Sequence, residues 1–313
     1  MPIRENLALS LREKCTNLDF WVHLLLFTCL SIAFWPLTKW FAQTAHEQSR
    51  IFHALIVLGL AAVFLVRFGS VPINDPLSLN RSASRAIVFT FSLLLIHFCL
   101  GFVVEQLPSK VAGITSLGLG ALTIAAYCSG IAAGILFLFG EGTKRVAYTV
   151  CGTFGAFIML SMFMDLADWP LRTIAGQWSG NILSLLGRSS ELGLLSQEGL
   201  PPKLILIVND YPFHVASECN GFGIILTSLL IAVLLGLYHR LKVPKFLLNL
   251  IISIFLGFAF NTLRIVIIVL LAPSMMSHYD LMHEIVGGIA FWGCLILIWL
   301  LLKGPIDNEE SQT

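Results

Sequence analysis

The chain has 313 residues, of which 57% are hydrophobic and only 12% are charged, and its formal net charge is +1. A soluble domain usually carries about 25% charged residues, so this composition excludes an ordinary water-soluble protein and indicates one built for a lipid bilayer. A net charge so near zero also gives no case for a nucleic-acid partner.

Apolar runs recur along the whole chain. Because a helix needs about 20 apolar residues to cross a bilayer core, we expect about eight crossings. The runs lie near residues 21–43, 51–69, 86–104, 112–140, 146–166, 219–238, 246–271 and 284–302. We interpret the first run as an uncleaved helix, since seven more follow it. The fourth run is long enough to be tilted or broken, as its glycines would permit: Gly118, Gly120, Gly130 and Gly134.

Positive charges predict the orientation. Arg4, Arg12 and Lys14 precede the first run, and the turns "NRSASR", "EGTKR" and "HRLKVPK" fall on the same side if the chain crosses eight times. Short basic turns mark the cytoplasmic side. The longest segment between runs, which joins the fifth to the sixth, is therefore expected outside the cytoplasm.

The sequence thus predicts an all-α membrane protein with four regions. These are an N-terminal five-helix membrane region (1–166), an extracytoplasmic interfacial segment (167–218), a C-terminal three-helix region (219–302) and a cytoplasmic tail (303–313). Within the second region, "WPLRTIAGQWSGNILSLLG" has the apolar spacing of a helix lying in the membrane interface. The stretch "PPKLILIVNDYPFHV" predicts a short hairpin or extended piece.

Two of the last three runs carry reactive or charged side chains near their outer ends. Cys219 begins the sixth run, where a helix N-terminus would stabilise its thiolate. Arg264 lies about 13 Å below the outer end of the seventh run, a depth at which arginine usually faces the bundle interior with a partner. Asn261, three residues earlier, shares its helical face. Cys219 taken alone could equally be a small buried hydrophobe.

Histidine is the remaining candidate. His283 opens the eighth run, and Gly287 lies one turn later on the same face, where a missing side chain lets another group come close. His278 and His214 compete with it in the same outer region. The segment that begins "HEIVG" lacks the second histidine of a zinc helix, so no metal or other cofactor is predicted.

These residues form a chemically complete set. Cys219 could attack a peptide carbonyl, His283 could manage the proton, and Arg264 could stabilise the oxyanion, the thiolate or a substrate carboxylate. Two other hypotheses remain open. The chain could be a transporter in which Arg264 and Asn261 line a pathway, or a membrane subunit without catalytic activity.

Three motifs carry a family resemblance. They are "ECNGFGI" with Cys219, "NTLRI" with Asn261 and Arg264, and "HEIVGG" with His283 and Gly287. On these motifs, in this order, the sequence resembles the exosortase/archaeosortase family of multi-pass membrane transpeptidases, over roughly residues 165–302.

The resemblance implies a cysteine peptidase or transpeptidase of the plasma (inner) membrane with its active site on the extracytoplasmic side. Such an enzyme would cleave the C-terminal sorting tail of exported proteins, which has a short motif, a membrane helix and a basic cluster. A thioacyl-enzyme would then pass the product to a lipid or polysaccharide acceptor, an amine or water. Asn220, Gly221, Asn261 and Gly287 would support the three catalytic residues. The family usually has Cys-Ser-Gly where this chain has Cys219-Asn220-Gly221.

Overall fold

A computed structural model describes residues 9–47, 49–69, 71–104, 109–161, 164–196, 202–215 and 221–304. The chain divides into two compact units, with the first ending at Met159 and the second comprising residues 160–304. The second unit contains both the segment between the fifth and sixth apolar runs and the helices that follow it. The four-region division based on the sequence remains a prediction.

The first unit is helical. Its helices are α1 (Leu18–Ala33), α2 (Trp35–Glu47), α3 (Ser49–Phe68), α4 (Arg81–Val104), α5 (Ser109–Phe139) and α6 (Lys144–Ser161). The side chain of Asn17 caps α1 by accepting a hydrogen bond from the Asp19 amide at 3.0 Å, as N-cap residues do. The first apolar run is bent by 52° between α1 and α2. The fourth run is one continuous helix, α5, despite the glycines at positions 118, 120, 130 and 134.

Buried side chains join α1, α4 and α5 of the first unit. Leu30 of α1 packs with Leu93 of α4 and Ala126 of α5. Phe34, the residue that caps the C-terminal end of α1, belongs to the same cluster. Each of these residues is less than 10% exposed, so this part of the unit has a closed core between helices whose other faces are apolar and exposed.

The second unit combines helices with a small sheet. Its elements are α7 (Met164–Leu185), β1 (Ser190–Leu195), β2 (Lys203–Val208), β3 (Tyr211–His214), α8 (Phe222–Tyr238), α9 (Val243–Leu271) and α10 (Tyr279–Leu301). The sheet is antiparallel, in the order β1-β2-β3.

The predicted hairpin is confirmed. β2 and β3 are joined through Asn209 and Asp210, which both have positive φ, and asparagine and aspartate tolerate that conformation in tight hairpin turns. The chain is mostly helical, as predicted, and the three-stranded sheet is the exception to the all-α class. β1, with the sequence "SELGLL", has no β-branched residue and a central glycine. Its strand conformation therefore depends on pairing with β2 rather than on its own propensity.

Helix α8 is the central element of the second unit. Most of its residues are buried, as expected for a helix that is apolar all round. It packs closely on α9 because α9 has a glycine at the contact. A Cβ atom on Gly257 would lie 3.0 Å from the Cα of Ile225. The sheet packs on α7 and α9 through a cluster that includes Ala175, Leu206 and Val269.

The protein is a multi-pass membrane protein. Within the described residues, five helical segments are long and apolar enough to cross a bilayer: Ile51–Phe68, Arg81–Val104, Gly118–Phe139, Val243–Ser274 and Met276–Leu301. The bent pair α1–α2 could make a sixth. Helix α8 is apolar but has 17 residues, and α6 begins with two charged residues that lower its hydropathy. Eight crossings therefore remain a prediction.

Candidate active site

Helix α9 presents the polar side chains of Asn261 and Arg264 to neighbouring elements of the second unit. Asn261 is completely buried, and Arg264 lies one turn further along the same face and is half-buried. Burying polar groups inside a membrane bundle is costly unless they contact other protein groups. The contacts of these two residues therefore define the candidate site.

Arg264 contacts His283 of α10. The distance between Arg264 Nη2 and His283 Nε2 is 3.2 Å, which is at the limit for a hydrogen bond between nitrogen atoms. The guanidinium has only donors, so in this bond Arg264 donates and His283 accepts through Nε2. The imidazole proton is then on Nδ1. The two residues are 19 positions apart in the sequence, and the packing of α9 on α10 brings them together.

Gly287 provides room for the guanidinium. A Cβ atom at this position would lie 3.3 Å from both Nε and Nη2 of Arg264 and 3.4 Å from its Cζ, closer than comfortable van der Waals contact. The neighbouring Gly288 differs, since a Cβ atom there would have nothing within 4 Å. Of the two adjacent glycines, only Gly287 is therefore needed for the position of Arg264.

Gly221 packs on Asn261 at the start of α8. It adopts φ +71°, and a Cβ atom there would lie 2.5 Å from the Cγ of Asn261. The Gly221 carbonyl accepts a hydrogen bond from the Ile225 amide at 2.9 Å, so the helix begins at Phe222. The sequence places the run from residue 219, but the left-handed conformation at Gly221 cannot continue a helix towards the N-terminus.

An aromatic side chain lies on His283. The ring of Tyr279 stacks on the imidazole with centroids 6.1 Å apart and planes 29° apart. Both side chains line a cavity of about 30 Å³ together with His214 and Phe213 of β3. Sequence analysis missed Tyr279, although its position one helical turn before His283 was a usable signal.

The other two candidate histidines have different surroundings. The Nδ1 atom of His278 lies 2.9 Å from the hydroxyl of its neighbour Ser277, in the turn that precedes α10. His214 ends β3 and lines the same small cavity as His283. His283 contacts Arg264, and this contact favours it over His278 and His214 as the histidine of the site.

Cys219 and Asn220 lie outside the described residues. The structure therefore brings together Gly221, Asn261, Arg264, His283 and Gly287, which come from two helices, α9 and α10, and from the N-cap of a third, α8. No three histidine, cysteine, aspartate or glutamate side chains come together as a metal site within the part of the chain that the structure describes.

Residues 45–300 match the family model described as transmembrane exosortase (Exosortase_EpsH). This range covers well over half of the chain and includes all five residues that the structure brings together, as well as Cys219 and Asn220. Neither the curated proteins nor the solved structures include a match.

Proposed function

Because the chain belongs to the transmembrane exosortase family, we propose that it is a cysteine peptidase or transpeptidase that removes the C-terminal sorting tail of exported proteins. The observation that carries this proposal is the contact between Arg264 and His283 across two apolar helices. A guanidinium and an imidazole together carry net positive charge, which suits a site where negative charge develops on a thiolate or an oxyanion. Gly287 of the motif "HEIVGG" leaves room for this guanidinium.

Cys219 is the proposed nucleophile. It lies two residues before Gly221 in the sequence, and covalent geometry limits the distance between their Cα atoms to about 7 Å. Gly221 packs on Asn261, one turn of α9 from Arg264. This proximity of Gly221 to Asn261 supports the proposal that Cys219 acts together with Arg264 and His283, with Asn220 and Asn261 as supporting polar groups.

In the proposed reaction His283 takes the proton of the Cys219 thiol at Nε2, and the resulting thiolate attacks the scissile carbonyl carbon and forms a tetrahedral oxyanion, to which Arg264 donates hydrogen bonds. The C–N bond then breaks. His283 gives its proton to the departing amine, and a thioester remains on Cys219. An acceptor amine, a hydroxyl group or water attacks the thioester, gives up its proton to His283 and releases the thiolate.

The hydrogen bond between Arg264 and His283 must break before His283 can transfer a proton at Nε2. While Arg264 donates to Nε2 of His283, the lone pair on that nitrogen is engaged. Proton transfer at Nε2 therefore requires Arg264 to turn away, and the developing oxyanion of a bound substrate is the group towards which it would turn. Substrate binding would thus release the histidine and recruit the arginine in one movement.

We also propose eight crossings, with the N-terminus in the cytoplasm and the site at the extracytoplasmic surface of the inner membrane. The basic turns support this orientation. It requires α6 and α8 to cross together with the longer helices and puts residues 167–218 outside. In a variant whose native cysteines are replaced by serine, a cysteine introduced for exposed Tyr211 should then react with a membrane-impermeant maleimide in intact cells, and one introduced for exposed Lys242 should react only after lysis. The reverse pattern would refute the orientation.

Processing of a co-expressed exported protein tests the enzymatic proposal. Its C-terminus carries a short motif, a membrane helix and a basic cluster. Wild type should remove this tail, and Cys219→Ala should remove none of it. Cys99→Ala is the matched control, because Cys99 is a free, exposed cysteine on α4 and its loss should leave processing unchanged.

Two further results would separate the possible outcomes. Arg264→Ala and His283→Ala should each reduce processing, and a thioacyl-enzyme released by hydroxylamine should accumulate in wild type but not in Cys219→Ala. If Cys219→Ala still removes the tail, the cysteine is not the nucleophile. The transporter and non-catalytic subunit hypotheses would then replace the enzymatic one.

A further inference from the structure

A groove in the first unit has no part in the proposed reaction. Its volume is about 560 Å³, within the range of about 300–1,000 Å³ that is usual for ligand pockets. It lies between the bent pair α1–α2 and the second half of α5. Its lining is mainly apolar and includes Leu24, Phe27, Phe34, Trp35, Ile131 and Leu138.

Two features of the sequence keep this groove open. The chain bends by 52° between α1 and α2, so the two helices do not follow α5 as one straight rod. On the facing surface of α5, Gly130 and Gly134 have no side chains to fill the space. A Cβ atom on Gly134 would have nothing within 4 Å, and one on Gly130 would make ordinary contacts at 3.8 Å.

The groove has the length of one bilayer leaflet. On α5 its lining extends from Tyr127 to Leu138, which corresponds to about 17 Å of helix. Half of a bilayer core is about 15 Å. Leu138 is next to the end of the membrane-crossing segment Gly118–Phe139, and Tyr127 is near its middle. The groove thus runs from the membrane surface to about mid-depth.

A polar pair lies at the mid-depth end of the groove. The hydroxyl groups of Thr38 and Tyr127 are 3.1 Å apart and hydrogen-bonded to each other, and the Tyr127 ring packs against Phe34 with centroids 5.3 Å apart. Because these two hydroxyl groups already bond to each other, they do not need a polar group of a ligand as a partner at this mid-depth end of the groove. An occupant is therefore apolar at this end.

Length decides between two apolar occupants at this depth of the membrane. A transmembrane helix spans the whole bilayer core of about 30 Å, about twice the length of the groove, whereas an acyl chain extends only from the membrane surface to about mid-depth. A single hydrocarbon chain is much thinner. We propose that the groove binds one acyl chain of a membrane phospholipid, with the headgroup at the Leu24–Leu138 end and the chain terminus beside Tyr127.

A pair of matched variants on α5 tests this site. Gly134→Leu places a side chain in the groove. Gly120→Leu is the control, since Gly120 is on the same helix outside the groove and a Cβ atom there also has nothing within 4 Å. The purified full chain is stripped of loosely bound lipid, mixed with phosphatidylethanolamine and phosphatidylglycerol, and examined by native mass spectrometry. We expect one retained lipid per chain in wild type and Gly120→Leu, and at least a tenfold lower fraction in Gly134→Leu. Equal retention in all three proteins would overturn the proposal.

Photolabelling of the wild-type protein gives an answer even if Gly134→Leu does not fold. The protein is reconstituted in vesicles of the same two lipids, of which one carries a diazirine on an acyl chain, and the labelled residues are mapped. We expect groove residues such as Phe27 and Ile131 to be labelled at least threefold more than Leu95 and Phe98, which are exposed on α4. Uniform labelling would indicate bulk lipid only. Labelling of the groove residues below that of Leu95 and Phe98 would indicate that something other than lipid covers the groove, and either outcome would refute the acyl-chain site.

Discussion

Replacing Gly287 with alanine should slow the enzyme without unfolding it. The added Cβ atom would lie 3.3 Å from Nε and Nη2 of Arg264, whereas carbon–heteroatom contacts are comfortable at about 3.5–4.0 Å. The guanidinium must therefore move by about 0.3–0.5 Å. This movement disturbs its 3.2 Å contact with His283, which has little room to lengthen before it stops being a hydrogen bond.

The expected loss of rate follows from this displacement. A misplacement of 1 Å can cost about a hundredfold in rate, so a movement of less than half that size should cost about tenfold, or about 1.4 kcal/mol of transition-state stabilisation. Stability should change little, because alanine favours a helix over glycine by about 1 kcal/mol and offsets the tighter packing around Gly287.

The initial rate of tail removal, measured beside the thermal unfolding midpoint of the purified protein, checks this prediction. Gly288→Ala is the matched control. It makes the same change at the next position of the same helix, where a Cβ atom has nothing within 4 Å, and its rate should equal that of wild type. Equal rates for Gly287→Ala and Gly288→Ala would refute the reasoning that connects Gly287 to the position of Arg264.

Three further predictions concern stability and the histidine. Gly221→Ala should destabilise the protein by about 2 kcal/mol more than Gly187→Ala, because both glycines have positive φ but only the Cβ atom at 221 would collide with a buried asparagine; equal shifts of the unfolding midpoint would contradict this. Tyr279→Ala should lower the processing rate several-fold and Tyr279→Phe should keep most of it, because the ring stacks on His283; equal rates for the two variants would exclude a stacking role. The pKa of Asp75 is lowered, mainly by its hydrogen bond with Lys14. The ionised Asp75 side chain therefore stabilises the folded protein at neutral pH, and this stabilisation is lost as the pH falls below 3.8 and through the folded-state pKa of Asp75. Asp75→Asn should cost at most about 1 kcal/mol at pH 7, since the Asp75 side chain is largely exposed, and this difference should shrink as the pH falls below 3.8; a difference that stays constant there would contradict the assignment.

The sequence by itself determined the class of the protein and the chemistry of its candidate residues. A bilayer selects long apolar segments through local composition, so the spans of α3, α4, α5, α9 and α10 could be identified without any contact between them. The three-residue spacing of Asn261 and Arg264 placed both on one face, because helical periodicity is also local. The hairpin of β2 and β3 was predictable for a similar reason, since its turn residues are adjacent.

Only the tertiary structure decided which distant residues meet. It selected His283 over His278 for the contact with Arg264, and it distinguished Gly287 from Gly288 by what surrounds each of them. It also paired β1 with a strand from which it is separated in the chain. A sequence pattern gives the face of each helix, but the contacts between faces depend on how deeply and at what register the helices pack, and that is set by the fit of all their side chains together.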